Sequence, residues 1–137
     1  MATDLNQALD VSAAGMDAQT ARLRVIAQNI ANQDTTGSSP GADAYRRKTA
    51  TFESVLDKVT GVEKVQIKQI GTDNSDLPLK YDPSNPAANA QGYVKLPNVN
   101  SFIEMMDMRE AERSYSANLS VMQATRGMLS RTLDILK

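Results

Sequence analysis

Four carboxylates crowd one stretch of this chain, Glu104, Asp107, Glu110 and Glu112, and clustered acids are the raw material of metal sites and of acid–base chemistry. Spacings of three, three and two put only the first three near one face of a helix. The chain contains no histidine and no cysteine. That removes Ser-His-Asp and Cys-His nucleophiles, zinc–thiolate sites and disulfides together. With no nitrogen ligand to join them, the acids read more simply as a solvated helix start. The Tyr45-Arg46-Arg47-Lys48 run could grip phosphate or anionic lipid, but such charge runs more often are solvated or meet a protein partner. The chain therefore reads as a non-enzyme with no catalytic residue, metal, cofactor or small-molecule substrate. A net charge of -1 also argues against a nucleic-acid binder that relies on overall charge.

The elements that carry these residues follow from periodicity. Leu5, Leu9, Ser12, Met16, Gln19, Leu23, Ile26 and Ile30 follow one another at spacings of four and three. Met105, Met108, Glu112, Tyr115, Leu119, Met122, Arg126, Leu129, Leu133 and Leu136 repeat the pattern near the other end. Apolar residues recurring every 3.5 positions make a narrow helical seam that needs a partner helix. The first helix is expected from about Asp4 to Asn32, capped by Thr3 or Asp4, with Gly15 as a site of bending or close helix contact. The second is expected from about Ser101 to Leu136. A Ser101–Glu104 capping box starts it, with Asn100 as the alternative cap, and Gly127 invites close packing. Five of the seven methionines lie in this second helix, where thioether side chains adapt to irregular partners.

Between the helices the pattern stops. Residues 33–44 are rich in turn formers. YRRKTATF and VEKVQIKQI read as strands. Four of the five prolines fall between Pro78 and Pro97, so residues 71–100 read as an extended loop with at most short strands. The expected fold is mainly α: two long terminal helices pair as a coiled-coil-like hairpin around a central extended, β-poor loop segment. The expected division is 1–32, 33–100 and 101–137, with the two terminal helices forming one domain. At 137 residues, 41% hydrophobic but only 4% aromatic, the chain fits one domain without a large jigsaw core. No signal peptide or membrane span is expected from the sequence.

Several segments carry a family resemblance. SAAGMDAQTARLRVIAQNIANQDTT resembles the N-terminal signature of bacterial flagellar rod and axial proteins. AYRRKTATF, YDPSNPAANAQGYVKLPNVN, EMMDMREAERSYSANL and LSRTLDILK resemble the proximal-rod family called FlgC. They stand in family order over about two-thirds of the chain.

The resemblance implies a structural subunit of the flagellar basal-body rod, in the periplasm. Export would run through the flagellar type III apparatus without a cleaved signal peptide. Partners would be further copies, other rod proteins, the basal-body base and, in transit, the export apparatus. The seams would then be assembly surfaces, with Leu9, Met16, Leu23, Ile26 and Ile30 on the first helix. Tyr115, Leu119, Met122, Leu129 and Leu133 would serve on the second. Termini that order only on docking would limit premature polymerisation. Tyr45, Arg46, Arg47, Lys48 and Tyr93 are the candidates for contacts between subunits. One competing class is a soluble helical-hairpin adaptor or export chaperone, which would share the seams. The other is a carboxylate-dependent enzyme such as a wall-cleaving hydrolase, which would need a pocket with two acids at defined separation.

Overall fold

The computed structural model describes residues 2–135, so Leu136, the expected last residue of the second seam, lies outside the described residues. Helix α1 spans Ala2–Ala31 and helix α2 spans Ser101–Ile135. Their 30 and 35 residues correspond to about 45 and 53 Å at 1.5 Å per residue. Helix α1 begins earlier than its expected caps, so Thr3 and Asp4 lie inside it. Helix α2 begins where the sequence puts it, but the cap is Asn100. The Asn100 Oδ1 accepts from the N–H groups of Phe102 (3.0 Å) and Ile103 (3.3 Å). The Ser101 hydroxyl is instead bonded to the Gln33 side-chain amide. The capping box fails because Glu104 is fully buried elsewhere.

Between the helices come strands β1 (Lys48–Asp57), β2 (Val62–Thr72), β3 (Leu79–Tyr81) and β4 (Tyr93–Lys95). Strands β1 and β2 form one two-stranded sheet. Their four-residue link permits only an antiparallel hairpin. Strands β3 and β4 form a second antiparallel pair, with Leu79 opposite Lys95 and Tyr81 opposite Tyr93. The centre is thus richer in β-structure than the β-poor reading held. Its two main strands are 10 and 11 residues long. Exposure along β1 does not alternate, so the period-2 signal that would have marked its full length is weak. Threonines 49 and 51 with Phe52 and Val55 supply β-preferring side chains instead.

The chain divides into two compact units. Unit 1 takes residues 1–23, 50–69 and 109–137, and unit 2 takes residues 24–49 and 70–108. In unit 1 the segments of α1 and α2 run antiparallel, since Gly15 meets Asn118 while Arg22 pairs with Glu110 at 3.4 Å. Gly15 is there for proximity: an added Cβ would sit 2.7 Å from the Asn118 amide nitrogen. Gly127, by contrast, faces nothing within 4 Å. Its openness belongs to a surface that this chain leaves uncovered.

The β1–β2 hairpin in unit 1 is braced at its tip. The Gln7 amide donates to the Thr60 carbonyl at 2.9 Å. Lys64 pairs with Asp57 at 2.8 Å and lies 3.7 Å from Asp10. The Asp57 Oδ1 also accepts from the N–H of Val59 at 2.9 Å and of Thr60 at 3.3 Å. The Lys64 ammonium, then those two N–H groups, hold the Asp57 carboxyl down at about 2, against an ordinary 3.8. A depressed carboxyl stabilises the folded turn fully above its unfolded value, and that contribution goes as pH falls through the folded one. Amide shifts of Val59 and Thr60, followed by NMR, should therefore titrate near pH 2. In Asp57→Asn that titration should vanish; a wild-type midpoint near 4 would contradict the brace.

Candidate interaction site

Unit 2 is organised around a buried polar cluster. Asn29 sits near the end of α1 and is fully buried, as is Glu104 in the first turns of α2. Asn29 acts as a one-residue piece of sheet. Its Oδ1 accepts from the Lys48 N–H at 2.8 Å, and its Nδ2 donates to the Lys48 carbonyl at 2.8 Å. The same amide accepts from the Tyr45 hydroxyl at 2.9 Å and donates to Glu104 Oε2 at 3.2 Å. Every polar capacity of this buried amide is thus used, as a buried amide requires. Asparagine is a poor helix former, and these four bonds explain why one is placed in the last turns of a helix.

Glu104 is neutralised by Arg47, whose Nε donates to Oε1. The same guanidinium reaches Asp107 at 3.4 Å. Arg47 is itself positioned by its backbone: its N–H donates to Asn98 Oδ1 at 2.7 Å, and its carbonyl accepts from the Asp73 N–H at 2.8 Å. Asn98 then donates to the Asp73 carbonyl and to the Ser75 hydroxyl, both at 3.0 Å. Burial, then the nearby Glu104 charge, pushes the Tyr45 phenol above its ordinary pKa, so it stays a neutral donor. The cluster therefore buries one carboxylate, Glu104, against a partly exposed guanidinium and an amide donor. A buried ion is tolerated when it is paired and hydrogen-bonded in this way.

The acidic run consequently splits. Glu104 is not part of a solvated helix start: the loop bearing Arg47 covers it. Asp107 shares Arg47, Glu110 pairs with Arg22 in unit 1, and Glu112 is exposed. No group of three or more acidic, histidine or cysteine side chains suited to a metal ion occurs among the described residues. Nor is any described helix long and apolar enough to cross a membrane.

The candidate contact residues separate in the same way. Tyr45, Arg47 and Lys48 bond to α1 and α2 of their own chain, and the carboxylates that Arg47 meets are its own. Arg46 lies further out, donating to the Ser75 carbonyl at 3.0 Å and to Asp43 at 3.4 Å. Lys95 reaches the same Asp43 at 2.6 Å. Those two cations, Lys95 first, hold the Asp43 carboxyl below its usual range. Tyr93 is exposed and meets Tyr81 edge-on, with ring centroids 5.3 Å apart. Gly92 makes that contact possible, because it sits at φ 83° and an added Cβ would come within 2.8 Å of the Tyr81 ring.

On α1, Ile26 is buried, while Leu9, Met16, Leu23 and Ile30 are half-buried. On α2, Tyr115, Met122 and Leu129 are half-buried, but Leu119 and Leu133 are exposed. In unit 1 the inward face of α2 runs through the buried Ala111 and Thr125 and the half-buried Tyr115, Asn118, Met122 and Leu129. Val121, Met128 and Ile135, spaced by sevens, stay exposed on one flank of that face. In unit 2, Phe102, Ile103, Met105 and Met106 are exposed. Much of the apolar repeat in α2 is therefore left open by the chain itself. Sequence reasoning missed Asn29 because it lies off the apolar seam. The signal that could have found it is an asparagine in a stretch otherwise favourable to helix.

Comparison with known proteins agrees with these features. Residues 9–37 match the family described as flagella basal body rod protein, and residues 90–135 match the C-terminal family of flagellar basal body rod FlgEFG proteins. The flagellar basal-body rod protein FlgC of Agrobacterium fabrum is 53% identical over 97% of this chain and 96% of its own length. The protein of that name from Bacillus subtilis is 38% identical over 94% of this chain and 96% of the relative. In Aquifex aeolicus the figures are 38%, 98% and 98%. With helices bearing the rod signatures at both ends and relatives matched almost end to end, this chain belongs to the FlgC family of flagellar basal-body rod proteins.

Proposed function

We propose that this chain works as a structural subunit of the proximal rod, joining its neighbours through the faces of α1 and α2 that its own fold leaves open. The observation that carries this reading is the composition of α2. Its buried positions in unit 1, Ala111 and Thr125, are small or polar, while Leu119, Val121, Met128, Leu133 and Ile135 are exposed. An isolated chain gains nothing from that arrangement, since exposed apolar clusters mark surfaces meant for a partner. Neighbouring copies and other rod proteins would complete coiled-coil-like packing on those flanks, with the terminal helices acting together as the assembly domain. Repeated heterologous contacts make an open helical array, which transmits torque from motor to distal rod and hook. Arg46 and Tyr93, still near the surface, are suited to contacts between subunits. The chain reaches the periplasm through the flagellar type III export apparatus. Its relatives carry the name of a rod protein, and none of them supports the adaptor or export-chaperone alternative.

The test uses positions already exposed in the single chain, so that assembly is separated from folding. In cells whose only copy carries Leu119→Asp and Leu133→Asp, the protein should accumulate to normal levels but be lost from purified basal bodies. Swimming should be abolished, because a charge buried at every repeated contact costs several kcal/mol per copy. Normal incorporation and motility in this variant would remove α2 from the assembly surface.

A further inference from the structure

Unit 1 carries an exposed apolar hairpin tip and, elsewhere, a groove with an apolar floor. Val59 is 94% exposed, an unusual place for a β-branched side chain. Its turn is not loose: Asp57, Lys64 and Gln7 fix it by the bonds described above. Lys58 beside it is exposed and has no ionic partner among the described residues. The groove, about 350 Å³, lies between α1 and β2 and is lined by Ala14, Ala18, Ala21, Val65 and Ile67, with Gln66 and with Lys64, whose ammonium is already paired with Asp57. Alanines at these α1 positions make a low floor, and Val65 remains 40% exposed above it. Asp17, exposed and likewise without an ionic partner among the described residues, stands in the lining.

We propose that the hairpin tip of one copy seats in the α1–β2 groove of a second copy, Val59 on the alanine floor and Lys58 against Asp17. The occupant is a second copy because the same chain presents the two halves of the contact, an apolar knob flanked by a cation and an apolar groove flanked by an anion. Knob and groove are different surfaces, so the contact is heterologous and leaves a free knob and a free groove at the ends of any pair. It rests on the rod-subunit reading and gives it one specific joint. A single side chain on a small floor is a weak contact by itself, so the joint acts only when the array holds it in place. The chain cannot make it internally. Thr60 is tied to Gln7, and Ala21 lies about 21 Å further along α1 at 1.5 Å per residue.

The absence of cysteine permits a clean test. Chains carrying Val59→Cys and Ala21→Cys together, assembled into basal bodies and mildly oxidised, should yield cross-linked dimers and higher ladders. Either substitution alone should yield none. Adding Lys58→Asp or Asp17→Lys should cut the cross-linked product about tenfold by placing like charges together. Adding both should restore it, which a merely structural effect of either change would not do. No ladder despite normal incorporation would overturn this joint and leave the rod reading intact. Absence of the unsubstituted protein from basal bodies would overturn the rod reading itself.

Discussion

Arg47→Ala should destabilise unit 2 by about 3 kcal/mol or more, because it strands a charge where water cannot reach it. Glu104 is fully buried, and removing its guanidinium leaves an uncompensated carboxylate inside the fold, which typically costs about 3–5 kcal/mol. Asn29 Nδ2 remains within 3.2 Å and offsets only part of that loss. The cost lies in the orphaned charge rather than in the net worth of the pair. Arg47→Met combined with Glu104→Met should therefore recover most of the stability that Arg47→Ala loses. Denaturant unfolding followed by tyrosine fluorescence measures this, the chain having four tyrosines and no tryptophan. Equal losses in the single and double variants would show that Glu104 does not depend on Arg47.

Asn29→Ala should cost about 2–4 kcal/mol, by stranding several partly buried groups at once, each worth about 1–3 kcal/mol when fully cut off from water. The Lys48 N–H and carbonyl lose both partners, and the Tyr45 hydroxyl loses its acceptor. Asn29→Asp, although isosteric, should be no better. It keeps the acceptor for Lys48 N–H and Tyr45, but turns the donor into a second oxygen facing the Lys48 carbonyl and Glu104. Hydrogen exchange at the Lys48 amide is the direct readout, and it should speed up far more than exchange at amides in the middle of α1. Unchanged protection at Lys48 in Asn29→Ala would show that the amide bridge does not hold the start of β1.

Both effects centre on residues whose importance the sequence conceals. Periodicity was enough to place two long helices to within a few residues, because a sustained heptad with no internal proline has one low-energy backbone solution. Of the expected caps only Asn100 holds. The missing histidine and cysteine bounded the chemistry without any structure, since a side chain that is absent cannot act. Rod-type signatures at both ends pointed to the family in the same way. Which face of each helix turns inward was not legible. Methionine and leucine at heptad spacing say that a partner is needed, but not whether it is the same chain or a neighbour. In α2 the chain itself covers Ala111 and Thr125 and leaves Leu119 and Leu133 open. Nor was the fate of Glu104, Arg47 and Asn29 legible. A carboxylate near a helix start has the same local preferences whether water or a guanidinium neutralises it. Only tertiary structure brings together residues 29, 47 and 104, and burial then turns ordinary surface residue types into the polar centre of unit 2.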